Sequence, residues 1–231
     1  MLQKIRQALS LTPGQPSQPA DLSTLPELGQ VLAPISPDEL VTHFEGELLK
    51  VGGCAYRVQN QSEISGLLLK ILGDTRQAGV VLSRNSLLAK LGLAEILESA
   101  GIPALAWPGA SAEDPGAEQS TNYRERCFSA AAGLTGVDFA LAESGSLVLT
   151  SLTEGSQLSS LAPPIHIAFY LRRQVVESLE EVLAGVSAQD GATASGRSIV
   201  LVTGTSRTAD IEQILIRGVH GPREVHAILV D

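Results

Sequence analysis

Cysteine is nearly absent from this chain, with only Cys54 and Cys127 present and far apart. No Cys-x-x-Cys pair and no Cys/His cluster with metal-ligand spacing occurs, so the chain is not expected to hold an iron–sulfur cluster alone. The start, Met-Leu-Gln-Lys-Ile-Arg, lacks the apolar stretch of a secretory signal, which makes a disulfide unexpected and the cytoplasm the expected compartment. No apolar run approaches bilayer length, and Ile165 to Leu171 is among the longest. Basic excess is missing too. A net charge of −9 argues against nucleic acid and leaves small anions or proteins as expected partners. Neither G-x-G-x-x-G nor G-x-x-x-x-G-K-[ST] occurs, so neither NAD nor ATP is implied.

Aromatic residues make up only 3% of the chain, and the core must therefore be built from Leu, Val, Ile and Ala. That composition suits a parallel sheet under helices. Lysine disappears after Lys90, and all eight later cations are arginines. Arginine forks match carboxylate and phosphate geometry as lysine does not, although codon bias and surface ion pairs explain most of the eight better. Arg207 alone is singled out below.

With 231 residues, one domain with an appendage is expected. Residues 1–36 read as a short helix and an extended arm, since six of the twelve prolines fall between Thr12 and Pro37. Residues 37–231 read as a single α/β domain, opened by a capping box at Ser36-Pro37-Asp38-Glu39. Strand-like runs at Val51 to Val58, Gly79 to Ser83 and Ile102 to Trp107 alternate with helical patterns. One of these carries Ile64, Leu67, Leu68 and Ile71 behind an Asn60 or Ser62 cap, and another runs from Leu87 to Ala100. Alternation of this kind predicts crossover units and an open, mainly parallel sheet flanked by helices. Further along, a helix is expected from Ser120 to Ala132, a strand at Ile165 to Leu171 and a helix through Val176, Leu179, Val182 and Leu183. A buried parallel strand at Ser198 to Thr203 and a last strand at Glu224 to Val230 complete the expectation.

Three segments are candidates for chemistry. The first is the polar turn Gly204, Thr205, Ser206, Arg207 and Thr208, followed by Asp210 and by Ile211, Ile214 and Leu215 at helical spacing. A strand, turn and helix in this order would offer free N–H groups, hydroxyls and a guanidinium to an anion at the carboxyl edge of the sheet. Equally, Thr208 would merely cap that helix while Asp210 and Glu212 answer its dipole; spacing leaves both readings open. The second is Glu143, Ser144, Gly145 and Ser146, a carboxylate at a glycine-containing bend. Glu143 would serve as nucleophile or general base, or would accept N–H bonds from its own turn while Gly145 supplies an unusual backbone angle. The third is His220, placed between glycines in Gly218-Val-His-Gly-Pro222, where it would face a cleft; His166 lies in a strand. No spacing supports a metal site.

Four blocks in register carry a family resemblance: Gly136-Val-Asp-Phe-Ala-Leu-Ala-Glu-Ser-Gly-Ser-Leu-Val-Leu-Thr150, Leu161-Ala-Pro-Pro-Ile-His166, Gly204-Thr-Ser-Arg-Thr-Ala-Asp-Ile-Glu212 and Gly218-Val-His-Gly-Pro222. Together they resemble the lactate-utilization protein C family, the LUD domain, over about residues 134 to 231. The family commonly has Glu-Thr-Gly-Thr where Glu143-Ser-Gly-Ser stands here, and Gly-Pro-Ser-x-Thr where Gly204-Thr-Ser-Arg-Thr stands. The resemblance implies a fold like ribose-5-phosphate isomerase, glucosamine-6-phosphate deaminase and the coenzyme A transferases. It also implies an accessory role in bacterial oxidation of L-lactate to pyruvate, with iron–sulfur clusters on partner subunits and none in this chain. From the turns themselves rather than from the resemblance, a small carboxylate or phosphate is the ligand expected at Gly145, Ser146, Gly204 to Thr208, Asp210 and His220. The alternative the resemblance raises is a coenzyme A transferase-like or phosphosugar isomerase-like enzyme using Glu143.

Overall fold

The computed structural model describes residues 34–108, 117–190, 198–211 and 214–230, so most of the proline-rich arm and the loop 109–116 lie outside the described residues. In chain order the elements are α1 (Leu40–Lys50), β1 (Cys54–Val58), α2 (Gln61–Leu72), β2 (Val80–Leu82), α3 (Ser86–Lys90), α4 (Leu93–Ser99), β3 (Ala104–Ala106), α5 (Ala117–Ser129) and β4 (Ala132–Thr135). They continue with β5 (Phe139–Leu141), β6 (Ser146–Thr150), α6 (Ser151–Glu154), α7 (Leu158–Leu161), β7 (Ile165–Tyr170), β8 (Val175–Val176), α8 (Leu179–Asp190), β9 (Ile199–Val202), β10 (Arg207–Ile211), β11 (Ile214–Arg217) and β12 (Glu224–Val230).

Six strands form a fully parallel sheet in the order β1-β12-β7-β4-β2-β3. Strands covered on both faces need no polar alternation, and all six residues of β7 are buried. On one face α2, α3 and α4 bring Ile64, Leu68, Leu88 and Leu97 onto Val80, Leu134, Ile167 and Ile228. On the other, Phe44 and Leu48 of α1 and Leu147 and Leu149 of β6 pack against Tyr170, Ala227 and Leu229. A second sheet, β8-β5-β6-β9, lies in that layer, and Val182 and Val186 of α8 cover its outer side by packing on Leu141 and Val148. The expected parallel sheet between helices is therefore present.

Several local expectations are corrected. Ser36 to Glu39 do not form a capping box: the Glu39 amide donates to the Ser36 carbonyl at 2.8 Å in a preceding turn, and α1 starts at Leu40 without a side-chain cap. Asn60 does cap α2, accepting from the Glu63 amide at 3.0 Å. The helical stretch from Leu87 to Ala100 is two helices, separated where Gly92 takes a left-handed conformation. Val176 belongs to a strand rather than to the helix beginning at Leu179.

Two corrections bear on function. The run Ser198 to Thr203 is not a parallel strand: β9 pairs antiparallel with β6, and Ile199 and Leu201 are exposed. The segment after the Gly204 turn is not a helix either, since β10 and β11 form an antiparallel hairpin with Arg207 opposite Arg217 and Thr208 opposite Ile216. Apolar residues at 211, 214 and 215 satisfy helical spacing, but a short hairpin with a bulge accommodates the same positions.

Candidate functional site

The loss of that helix removes the expected N-terminal anion site, and with it the expected capping role of Thr208. The turn also lies at the opposite end of the sheet from the one expected. The Ser206 amide donates to the Pro222 carbonyl at 2.9 Å, just before β12, and Gly204 packs on the Val51 carbonyl, just before β1. These are amino ends of parallel strands, whereas the expectation was the carboxyl edge.

Even so, two of the predicted segments meet. Ser146 Oγ lies 2.7 Å from Thr203 Oγ1 and 2.8 Å from Ser144 Oγ, which joins the β5–β6 turn to the end of β9. Both turns press on the end of α1 and its following loop. Gly145 has φ +64° and a Cβ there would collide with the Leu48 backbone, while Gly204 has φ +69° and would collide with Val51. Only glycine meets both demands.

Arg207 completes this seam. Its guanidinium lies over Gly52, where a Cβ would strike Nη2, and its Nε stands 3.5 Å from the Thr205 hydroxyl. Thr205 is buried, Ser206 and Thr208 are half-buried and Arg207 is exposed. Among the described residues, no carboxylate pairs with Arg207. The Asp210 side chain lies outside the described ones.

Glu143 is engaged elsewhere. Its Oε1 accepts the Leu179 amide at 3.0 Å at the start of α8, and its own amide donates to the Glu177 carbonyl at 3.1 Å. A carboxylate there satisfies one of the free amides of the helix start and opposes its dipole. His220 is exposed and lines a cleft of about 390 Å³ with Phe128, Leu161, Pro164, Gly218 and Arg223; the Gly218 amide donates to the Ser206 carbonyl at 3.0 Å. His166 is buried in β7; its Nε2 is 2.8 Å from Thr135 Oγ1, and burial, with His226 nearby, drives its pKa down to about 3. Among the described residues, no three His, Cys, Asp or Glu side chains form a metal site, and no helix is long and apolar enough to cross a membrane.

A second polar cluster lies at the carboxyl edge, on residues the sequence did not single out. After β2 come Ser83 and Asn85, after β4 comes Asp138, and Thr153 and Glu154 lie on α6. Asp138 Oδ2 accepts from the Thr150 amide at 2.7 Å and the Thr153 hydroxyl at 2.9 Å. Burial raises its pKa against those donors. Glu154 is wholly buried; its Oε1 accepts from the Asn85 side-chain amide and, at 3.3 Å, from the Thr153 hydroxyl. Burial lifts its pKa to about 7 against the bonds from Asn85 and Thr153 and the nearby Ser83 hydroxyl, which stands outside hydrogen-bond geometry, with Asp138 adding to the rise. Nothing in the spacing of Asn85, Asp138 and Glu154 announces this grouping.

Comparison with known proteins accords with the geometry. Residues 41–230 match the LUD domain. The chain belongs to the LUD-domain family. It is 31% identical to lactate utilization protein C of Deinococcus radiodurans over 87% of this chain and 84% of that protein. Lactate utilization protein C of Bacillus velezensis is 33% identical over 57% of this chain and about half of its own length, 52%. The crystal structure of a DUF162 family protein from Deinococcus radiodurans superposes with a TM-score of 0.58 at 25% identity, covering 86% of this chain and all of that one. For this LUD protein the resemblance of the four sequence blocks thus extends through the amino-terminal half of the domain.

Proposed function

We propose that this LUD protein works in bacterial lactate utilization, in the cytoplasm, as an accessory component of L-lactate oxidation to pyruvate beside iron–sulfur partner proteins. The observation that carries the reading is the similarity to the Deinococcus lactate utilization protein C along most of both chains. Two cysteines on separate elements, one of them buried, suit a chain that leaves electron transfer to its partners.

Its own contribution, on this reading, is to bind a small carboxylate at the seam of Ser146, Thr203, Thr205 and Arg207. An exposed guanidinium with no carboxylate partner among the described residues, lying on the bare backbone of Gly52 beside a hydroxyl, supports this assignment. A guanidinium offers two parallel N–H bonds to a carboxylate, and a lysine ammonium does not. Calorimetric titration with L-lactate, pyruvate and phosphate tests it. Arg207→Lys is expected to weaken carboxylate binding by about 1–3 kcal/mol. Equal affinity in the variant overturns the assignment of the seam.

A further inference from the structure

The order of the parallel strands contains a reversal. From β2 the chain moves outward to β3, returns past β2 to β4, and then runs the other way through β7 and β12. The connections leaving β2 and β4 therefore diverge, and in open α/β sheets a crevice opens above the carboxyl ends of such a strand pair. Asn85 and Asp138 stand at those two ends, with Glu154 bonded to Asn85 and close to Asp138.

Among the described residues, two buried polar atoms in this region have no hydrogen-bond partner, Glu154 Oε2 and Trp107 Nε1. Trp107 follows β3, and its ring packs edge-on against Tyr123 with centroids 5.0 Å apart. The residue after Glu154 is Gly155, and a Cβ there would lie 2.8 Å from Cδ1 and Nε1 of the indole. One unmet carboxylate oxygen and one unmet N–H donor thus sit on adjoining pieces of chain. Buried polar groups are almost always paired, and exceptions cluster where a ligand or water completes them. Arg84, Trp107 and Thr153 around them are only half-buried, so solvent reaches the rim of the cluster.

We propose that the switch point between β2 and β4 is a second binding site, for a small uncharged molecule bearing a hydroxyl beside a carbonyl or a second hydroxyl. Glu154 Oε2 takes the ligand hydroxyl and Trp107 Nε1 donates to its acceptor oxygen. Charge disfavours an anion: the cluster holds two carboxyl groups, Asp138 and Glu154, while Arg84 directs Nη2 at the carbonyls of Ser151 and Leu152, at 3.3 and 2.5 Å. This site is independent of the Arg207 seam, which lies at amino ends of the same sheet.

Trp107 is the only tryptophan, so its fluorescence and its indole N–H resonance report on this site alone. The full chain is titrated with dihydroxyacetone, with acetone and L-lactate as comparisons. Dihydroxyacetone is expected to give a saturable change in both signals and to shift the Glu154 carboxyl carbon resonance, whereas acetone and L-lactate leave all three unchanged. Glu154→Gln should bind about tenfold more weakly. Arg207→Lys should bind dihydroxyacetone as the parent does, which separates this site from the carboxylate seam. If the glutamine variant does not fold, the Glu154 carbon resonance of the parent protein decides. No saturable response to dihydroxyacetone, or an equal response to acetone or L-lactate, overturns the proposal.

Discussion

Ser146 and Thr203, 57 residues apart in sequence, share a hydroxyl–hydroxyl bond of 2.7 Å that joins the β5–β6 turn to the turn after β9. Ser146 is buried and bridges Ser144 and Thr203, so removing either hydroxyl of the pair breaks one bond of this short chain. Ser146→Ala and Thr203→Val should each lower stability by about 1 kcal/mol. The double variant should lose less than the sum of the two, because both remove the same bond. Urea unfolding of the four proteins measures this, and strict additivity would show that the seam is not coupled.

Gly145 is under a heavier constraint than its hydroxyl neighbours. It combines φ +64° with direct packing on the Leu48 backbone, so a side chain there meets backbone strain and collision together. Gly145→Ala is expected to cost at least about 2 kcal/mol. A melting temperature equal to that of the parent would mean that the turn can move away from α1.

Two buried groups set opposing pH dependences. Glu154 rises from 4.5 to about 7 on folding, so between those values the folded state holds more protons than the unfolded one. Stability from this group is thus lost as pH rises through that window, and Glu154→Gln should be more stable than the parent above pH 7, by on the order of 3 kcal/mol. At pH 4 the advantage should vanish, both side chains then being neutral. His166 acts in the other direction. Its pKa falls from 6.5 to about 3, the unfolded chain takes up the proton first, and stability declines as pH drops through that interval. His166→Gln should flatten the acid limb by about one proton. Denaturant midpoints from pH 4 to 8 test both, and parallel curves for all three proteins would contradict the burial of these groups.

The strands of the parallel sheet were legible where branched apolar residues run together, as in Ile165 to Tyr170 and Glu224 to Val230. β4 was not. The helix expected from Ser120 runs on to Ala132, yet α5 ends at Ser129 and Ala132 opens β4, where the Ser159 carbonyl of α7 comes too close to Gly133 for any side chain. Only the fold supplies that reason. The hairpin at Arg207 to Arg217 was misread because a spacing of three and four residues satisfies a helix and does not forbid two short strands.

Of the candidate site, glycine and hydroxyl placement at 145, 146, 204 and 205 could be read, since turn chemistry is local. The meeting of the two turns over α1 could not. Asp138 and Glu154 carried no local signal at all. Their significance arises from desolvation and from the reversal of strand order, which are properties of the assembled sheet.

The role in lactate utilization is tested most directly by growth. In a strain lacking this gene and any paralogue, the account predicts failure to grow on L-lactate as sole carbon source, with normal growth on pyruvate. Restoring the parent gene should restore growth, and restoring Arg207→Lys should restore it only in part. Normal growth of the deletion strain on L-lactate would contradict the account.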